Sequence, residues 1–221
     1  AFSAEVPMAM IPLTADANHL SLWCKGGCLR AKSCPELNLT GNFTVELWAK
    51  FSTPRSGGSV LLAKGSPTAG NWHLIYQTDG TVQANIFGQQ VAYLFDPDSG
   101  GPAPGTWYHL AAVFEEQKGG KTRIRTYVNG QERGGALVAA LKDTSATDLF
   151  IGSFIEGSLS FQGMIDELRI TPAVLGPKSF LLAGTRPVID RSQARKPVFV
   201  PAATRIGDAE RRKAAGAPIL L

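Results

Sequence analysis

The stretch from Phe43 to Phe51 limits the fold more strongly than any other part of the sequence, because its side chains alternate over nine residues. The odd-numbered positions are Phe, Val, Leu, Ala and Phe, whereas the even-numbered positions are Thr, Glu, Trp and Lys. Successive side chains of a β-strand point to opposite faces, so a two-residue period is typical of a strand with one buried face. The stretch is therefore predicted to be a half-buried strand, with Trp48 on the side opposite the apolar residues.

Short runs of strand-forming residues follow along the chain, separated by Gly, Pro, Asn or Asp. Asn129-Gly130 is a typical two-residue hairpin turn, and Thr78-Asp79-Gly80 is a second hairpin signal. No helical pattern lies between the runs, and the 24 Gly and 14 Pro favour many turns. We therefore predict an all-β fold, a two-sheet antiparallel jelly-roll sandwich. Its later strands are expected at residues 59–64, 72–77, 81–87, 91–95, 107–115, 121–128, 149–154 and 161–170.

Composition divides the chain into three parts. Residues 1–18 are predicted to be an irregular leader, residues 19–183 the sandwich, and residues 184–221 an extended basic tail. The tail holds eight Lys/Arg and three Asp/Glu, whereas residues 1–183 hold 14 and 15, so the net charges are +5 and −1. Because the body is close to neutral, the basic balance of the whole chain does not indicate nucleic-acid binding.

The chain starts with Ala1-Phe2-Ser3 and not with Met. This start is compatible with a chain from which a targeting segment has been removed, and equally with a shortened chain. On the first interpretation the protein is expected outside the cytoplasm: secreted, periplasmic or in an organelle lumen. No apolar run approaches the roughly 20 residues that a membrane-spanning helix needs, so no transmembrane segment is predicted.

Cys24, Cys28 and Cys34 fall within eleven residues of one another. Their spacing, without a nearby His, is poor for zinc. An odd number leaves one thiol free or paired with another chain. We expect a local Cys24–Cys28 or Cys28–Cys34 disulfide, with three free thiols as the alternative.

Four blocks of sequence, in order, resemble those of laminin-G-like jelly rolls of the concanavalin A-like and pentraxin superfamily. They are LTGNFTVELWAK at residues 39–50, GTWYHLAAV at residues 105–113, RTYVNG at residues 125–130, and IG followed by FQGMIDELRI within residues 151–170. The resemblance implies a two-sheet sandwich used for carbohydrate or protein recognition, often outside the cell. It does not identify one ligand, because a common fold carries unrelated sites.

Aromatic side chains are the candidates for stacking on a sugar ring. Trp48, Trp72, Tyr76 and Tyr93 are the predicted ligand-binding residues, although aromatic side chains in a sandwich more often belong to the core. Trp48 is favoured by its predicted position opposite the apolar face, and Trp72 by the turn-rich segment before it.

Carboxylates give no catalytic arrangement. Asp166 and Glu167 are adjacent strand residues, so they are expected to face opposite sides and cannot flank one glycosidic bond. Asp166 is expected near the rim of the core, on the side of Leu168 and Ile170, accepting backbone N–H groups. Calcium is the candidate cofactor, with Asp96, Asp98 and Asp166 as its ligands, since the resemblance implies rim sites for calcium. Against it, residues 28–32 are basic where relatives carry an early Asp.

The tail supplies the remaining prediction. Its alternating apolar and basic residues suit an extended segment that lies along a partner, and the expected docking residues are Arg191, Arg195, Lys196, Phe199, Arg211, Arg212 and Lys213. We therefore predict no enzyme but a scaffold module, a subunit that binds other protein subunits of a larger assembly. The alternative is a lectin-like domain that binds a glycan, with or without calcium.

Overall fold

The computed structural model of the chain describes residues 1–11, 16–52, 58–65, 72–86, 88–144, 146–154, 158–182 and 204–205. The described residues form two antiparallel seven-stranded sheets that pack face to face. This architecture confirms the predicted all-β sandwich. No helix of the described part is long and apolar enough to cross a membrane.

Seven strands form each sheet. Sheet I contains β1 (Phe2–Ser3), β2 (Ser21–Lys25), β4 (Phe43–Phe51), β9 (Trp107–Gln117), β10 (Lys121–Val128), β11 (Gln131–Ala139) and β13 (Gln162–Thr171). Sheet II contains β3 (Leu29–Ala31), β5 (Ser59–Lys64), β6 (Trp72–Tyr76), β7 (Val82–Ile86), β8 (Val91–Phe95), β12 (Leu149–Ile151) and β14 (Thr204–Arg205). The spatial orders are β1-β2-β13-β4-β9-β10-β11 and β14-β3-β12-β5-β6-β7-β8. Three short 3-10 turns complete the elements: Pro35–Leu37, Pro97–Ser99 and Pro177–Ser179.

The core lies between the sheets, and the alternating strand β4 supplies its centre. All five odd-numbered residues of β4 are at most 1% exposed, as the two-residue period predicts. The Phe43 ring stacks on Phe114 of β9 with 4.4 Å between centroids, and it lies 5.5 Å from Trp72 of sheet II. Truncating one such ring to Ala costs about 3–5 kcal/mol, so these contacts hold the two sheets together.

Both predicted hairpin turns are present. Asn129 and Gly130 have φ values of +50° and +78°, and they join β10 to β11, where Val128 pairs with Gln131. A hairpin turn with positive φ at both central residues suits Asn-Gly, because these residues tolerate the left-handed region at least cost. In the second turn Asp79 Oδ1 accepts a hydrogen bond from Thr81 N at 2.9 Å.

The leader is predicted to be irregular, but its first residues form strand β1, which extends sheet I. Phe2 of β1 pairs with Leu22 of β2, and Glu5 forms an ion pair with Lys50 of β4. The predicted docking residues of the tail lie outside the described residues. Within the tail, the backbone of β14 pairs with β3, with Thr204 opposite Arg30.

Candidate functional site

The outer face of sheet I is covered by the chain's own residues 172–182. Leu181 N donates to Glu46 Oε2 at 2.7 Å, and Trp48 Nε1 donates to the Leu181 carbonyl at 2.8 Å. The Phe180 side chain is fully buried and lies 5.2 Å from the Tyr127 ring. Trp48 does lie on the outer face, as its position in the alternation predicts. It is only 9% exposed, however, so the prediction that it stacks on a ligand is wrong for this structure.

Beneath this cover, Glu46 is held between two basic side chains. His109 Nε2 lies 2.8 Å from Glu46 Oε2, and Arg169 Nε donates to Glu46 Oε1 at 2.7 Å. Arg169 also donates from Nη2 to the Ser179 carbonyl at 2.6 Å. Burial alone raises the pKa of Glu46, but the His109 hydrogen bond and the Arg169 charge outweigh it and hold that pKa below its usual value. Because Glu46 and His109 are fully buried, the network fastens residues 172–182 to the sheet and cannot reach a ligand in solvent.

Asp166 and Glu167 lie at a β-bulge in β13. The register against β4 shifts between Asp166 and Arg169, and Glu167 has a φ of +48°, a left-handed conformation that costs energy for a non-glycine residue. Burial raises the pKa of Asp166 to about 6. Burial, followed by the charge of Asp166, raises the pKa of Glu167 to about 8. Glu167 Oε2 is buried without a hydrogen-bond partner among the described residues.

The bulge also corrects the predicted direction of Asp166. Asp166 pairs with Trp48 and faces the outer side of sheet I, whereas Leu168 belongs to the core. The extra residue reverses the alternation, so Asp166 and Leu168 do not share a face. Asp166 accepts hydrogen bonds from Glu167 N at 3.0 Å and from Asn18 Nδ2 at 2.9 Å. The prediction that Asp166 accepts a backbone N–H group is therefore confirmed, whereas its predicted position on the side of Leu168 is wrong.

The three carboxylates predicted to bind calcium have separate structural roles. Asp96 caps the turn Pro97–Ser99 by accepting from Asp98 N at 3.1 Å, and Asp98 is exposed. Asp166 is bound within sheet I as described above. Among the described residues no three His, Cys, Asp or Glu side chains are grouped to hold a metal ion. Calcium binding by any one of these carboxylates stays a prediction.

Two other predicted stacking residues belong to the core. Trp72 is 1% exposed and Tyr76 is 5% exposed, and Tyr76 packs edge-on against Phe51 at 5.0 Å. Neither ring can stack on a ligand in this structure, so these two predictions are wrong, because strand β6 directs both side chains between the sheets. Tyr93 of β8 is half-buried and pairs with Gln83, so its role as a ligand-binding residue stays a prediction.

All three cysteines are free thiols, which is the alternative to the expected local disulfide. Burial raises the pKa of the Cys24 thiol to about 12. Burial also raises the pKa of Cys34, with a hydrogen bond from its side chain to Glu36 as the next cause. The thiols of Cys24 and Cys34 are therefore poor nucleophiles near neutral pH.

An open cavity of about 380 Å³ lies where β3, β5 and β12 of sheet II come together. Its two cations come from β3 and the residue after it, and Asp148 and Phe150 come from the β12 segment. Glycine at position 65, with φ of +109°, lets the chain leave β5 in a conformation that other residues disfavour. The described residues that line it are Arg30, Lys32, Gly65, Ala146, Thr147, Asp148 and Phe150.

Asp148 connects the two cations of the cavity. It forms ion pairs with Arg30 Nε and, at 3.6 Å, with Lys32 Nζ, and its Oδ1 accepts from Ser33 N at 2.7 Å. Burial by itself raises the pKa of Asp148, but the Ser33 amide and the Arg30 guanidinium outweigh it, so that pKa is lowered. The Arg30 guanidinium also lies 5.8 Å from the Phe150 ring centroid, which orders it along the cavity wall.

From the cavity, a row of opposed residues runs across the outer face of sheet II. Phe150 pairs with Ala63, Ala63 with His73, and His73 with Asn85. His73 and Asn85 are each 7% exposed. The Asn85 side-chain oxygen is buried without a hydrogen-bond partner among the described residues. An unsatisfied buried acceptor is uncommon in folded proteins. The row that begins at the cavity therefore contains an oxygen that could accept a further hydrogen bond.

Sequence reasoning missed this cavity. The basic character of residues 28–32 is visible in the sequence, but there it served only as an argument against calcium. Asp148 is 118 residues from Arg30, so no local pattern connects them. The four-block resemblance gave the fold and carried no information about this edge, because a shared fold does not fix the site.

Comparison with known proteins agrees with the fold. The family model described as the concanavalin A-like lectin/glucanases superfamily matches residues 26–179. No curated protein matches the sequence.

Three solved structures are similar in fold. The heptameric pentraxin of Limulus polyphemus has a TM-score of 0.50 and 16% identity, over 73% of this chain and 78% of the pentraxin chain. Domain 4 of an extracellular arabinanase from Geobacillus stearothermophilus, solved with arabinotriose, has a TM-score of 0.53 and 19% identity, over 72% and 73%. The CBM40 domain of a Ruminococcus gnavus sialidase, bound to sialyllactose, has a TM-score of 0.53 and 14% identity, over 71% and 92%.

Two further similar chains are longer, and this chain spans 53% and 44% of them. At these identities the structural matches establish the fold alone. The family model covers most of the chain and agrees with the laminin-G-like blocks of the sequence. The chain belongs to the concanavalin A-like lectin/glucanases superfamily.

Proposed function

We propose that this protein is a non-catalytic carbohydrate-binding module and that its ligand occupies the cavity at the edge of sheet II. The observation that carries the proposal is the cavity itself, because its described lining combines two cations, a carboxylate and a hydroxyl-bearing residue, Thr147, whereas the Phe150 ring is only 6% exposed and backs the wall. Sugar hydroxyl groups both donate and accept hydrogen bonds, so they suit a lining that carries charged groups and a hydroxyl. Binding pockets typically combine an apolar lining with a few such polar groups.

The same cavity argues against hydrolysis of a glycosidic bond. Among its described lining residues there is one carboxylate, Asp148, whereas most glycosidases need two carboxyl groups on opposite sides of the bond. Asp148 is engaged by Arg30, Lys32 and Ser33. Because the Ser33 amide, the Arg30 guanidinium and the nearby Lys32 charge lower the pKa of Asp148, this carboxylate stays ionised and does not supply a proton near neutral pH.

The structural relatives support the ligand class. The arabinanase domain was solved with arabinotriose and the sialidase domain with sialyllactose, and both share the sandwich with this chain. We extend the proposal to location: a module of this kind acts outside the cytoplasm, where polymeric glycans are found.

A glycan array probed with the full chain, with and without a chelator, tests the proposal. We expect binding to a defined group of glycans, and silence in both conditions would contradict it. The site is tested by Ala146→Trp, which places a large side chain from an exposed position at the cavity. This variant should lower affinity for the best array ligand at least about tenfold, since it occupies the ligand's volume. The matched control is Ala103→Trp, at an exposed position outside the cavity lining, which should leave affinity unchanged.

A scaffold role in an assembly is the second candidate. It is favoured by the backbone pairing of Thr204–Arg205 with β3, because it shows that this sheet edge accepts an added strand. Deleting residues 184–221 should then release the protein from its native complex while the sandwich stays folded. Association that persists after this deletion would contradict the role.

A further inference from the structure

Three basic side chains stand in a row on the outer face of strand β10. Lys121, Arg123 and Arg125 occupy alternate positions, whereas Thr122 and Ile124 between them are buried. Alternate residues of an antiparallel strand point to one face and repeat every ~6.8 Å. Lys121 and Arg123 are exposed, and the Arg125 side chain is 31% exposed. These three residues form a basic ladder that is open to solvent.

The positive charge of the basic ladder is compensated only in part. Glu115 of β9 pairs in register with Arg123, but its carboxylate binds Arg125 Nη2, at 3.2 Å. Lys121 and Arg123 have no hydrogen-bond or ion-pair partner among the described residues. The buried Nε of Arg125 also has no acceptor within the described part of the chain. One carboxylate therefore faces three cations.

The charges around the basic ladder do not change this balance. Glu132 and Arg133, toward the hairpin turn, are adjacent residues of opposite charge. Glu116 alternates to the other side of β9, where its carboxylate lies beside Gly41, and the exposed Lys118 offsets it. The repeat of the ladder is shorter than the screening length of about 8 Å in physiological salt. Neighbouring charges of the ladder therefore act on a ligand together.

Small and apolar residues border the basic ladder on its β11 side. The residues of β11 that pair with the ladder are Gly135, Leu137 and Ala139. Gly135 and Ala139 have little or no side chain, and Leu137 is 47% exposed. In the described part of sheet I, β11 is the last strand of the order. This border leaves room beside the cations for a ligand and offers it one apolar contact.

The same face already binds one segment of chain. Tyr127 is the next outward-facing residue of β10 after the ladder, and Phe180 of the covering residues 172–182 packs on its ring at 5.2 Å. Val174 and Leu175 of the cover pack against the same cluster. The outer face of sheet I can therefore hold a polypeptide segment through side-chain contacts.

We propose that the basic ladder binds an extended, acidic segment of a partner protein. Alternate side chains of an extended chain share a face and repeat at about the same 6.8 Å as the ladder. Carboxylates at every second position can therefore each meet one cation, through charge-assisted hydrogen bonds. The apolar Leu137 favours a peptide over a uniformly charged polysaccharide. This surface lies on sheet I and goes beyond the glycan cavity proposed on sheet II.

Fluorescence anisotropy on the full chain tests the proposal with three labelled peptides. The first alternates, Glu-Thr-Glu-Thr-Glu-Thr, the second has the same composition as a block, Glu-Glu-Glu-Thr-Thr-Thr, and the third is the alternating peptide with Gln for Glu. We expect the alternating peptide to bind at least about threefold more tightly than the block and about tenfold more tightly than the Gln peptide. Its affinity should fall as salt rises from about 50 mM to about 500 mM. Equal affinity for the alternating and block peptides would overturn the proposal.

Three variants locate the binding surface. Lys121→Gln and Arg123→Gln each remove an unpaired charge of the ladder and should weaken the alternating peptide about threefold. Lys25→Gln, at an exposed position of β2 four strands away in the same sheet, should leave its affinity unchanged. Each substitution changes an exposed side chain, so the unfolding midpoint should stay that of the parent. Unchanged affinity in both ladder variants, or an equal loss in Lys25→Gln, would overturn the proposal.

Two further measurements separate this surface from other occupants and from the cavity. A sulfated oligosaccharide with three sulfates that bound more tightly than the alternating peptide, and lost affinity in Arg123→Gln, would indicate a general polyanion surface and overturn the proposal. Ala146→Trp, which tests the cavity on sheet II, should leave peptide affinity unchanged, and a loss there would contradict the assignment to the ladder. Silence on the glycan array would overturn the proposed function without affecting the peptide result.

Discussion

Each sheet carries one carboxylate between two basic side chains, yet only one of these groups is open to solvent. On sheet I, Glu46 lies between His109 and Arg169, none of them more than 7% exposed, under residues 172–182. On sheet II, Asp148 lies between Arg30 and Lys32, whose side chains are 31% and 70% exposed. A similar arrangement of side chains therefore closes one surface and leaves the other open to solvent. Burial decides which, because a buried charge must be satisfied internally whereas an exposed one can exchange its partner.

The largest expected effect comes from breaking the closed group. Glu46→Ala leaves Arg169 buried without a carboxylate and removes the acceptor of Leu181 N. We expect the free energy of unfolding to fall by about 3–5 kcal/mol, measured by urea denaturation at neutral pH. Since its partners depress the pKa of Glu46, its stabilisation is present above the unfolded value of about 4.3 and is lost as pH falls through the folded value.

The open group provides the control for this substitution. Asp148→Ala removes the corresponding carboxylate, but its partners reach solvent, so the loss should be about 1 kcal/mol. Equal losses in the free energy of unfolding for Glu46→Ala and Asp148→Ala would contradict the view that burial distinguishes the two groups.

A second test uses the hydrogen bond that joins Trp48 to residues 172–182. Trp48→Phe leaves the Leu181 carbonyl without its donor, and we expect a loss of about 1–3 kcal/mol in the free energy of unfolding. Trp107 of the same sheet is the matched case, since its Nε1 is buried without a partner among the described residues. Trp107→Phe should therefore cost clearly less in the same thermal or urea denaturation. A larger loss for Trp107→Phe would contradict the assigned role of the Trp48 bond.

The acidic bulge on sheet I gives a pH-dependent test. Because the folded-state pKa of Glu167 is raised to about 8, the folded protein holds a proton that the unfolded chain releases between about pH 4.3 and pH 8. Glu167 therefore costs stability as pH rises through this window. Glu167→Gln should stabilise the protein at pH 8 by about 1–2 kcal/mol and have little effect near pH 4. Denaturation of both proteins across this range checks the sign, with Glu116→Gln, at an exposed position, as control. A gain that is the same at pH 4 and pH 8 would exclude the charge of Glu167 as its cause.

The sequence predicts the strands well because strand period and turn chemistry are local. The alternation from Phe43 to Phe51 and the Asn129-Gly130 turn each fix an element within ten residues, and both are confirmed. The bulge at Glu167 is not visible locally, since nothing in its neighbours requires a left-handed conformation. One inserted residue reverses the side of every following side chain, which is why Asp166 and Leu168 were expected on one face.

The site is harder to predict because its residues meet only through the fold. The two-residue alternation places Trp48 on the outer face correctly. Residues 172–182, which cover that face, lie more than 120 positions later in the sequence. The cavity likewise joins Arg30 to Asp148 across the paired strands β3 and β12. Residue types indicate that an aromatic or a cation can bind a ligand. Whether it can reach one depends on long-range packing.

The smallest expected effect sharpens the comparison at the open group. Asp148→Asn keeps the shape of the side chain and an acceptor for the Ser33 amide, but it removes the negative charge between Arg30 and Lys32. If the cavity binds a glycan that carries an anionic group, affinity for that glycan should rise about threefold, with no change for a neutral glycan, as measured by calorimetry. A fall in affinity would instead mean that Asp148 serves mainly to position Arg30, as Glu46 positions Arg169 on sheet I. The two groups would then share one structural role, and exposure alone would not distinguish the surface of sheet II from that of sheet I.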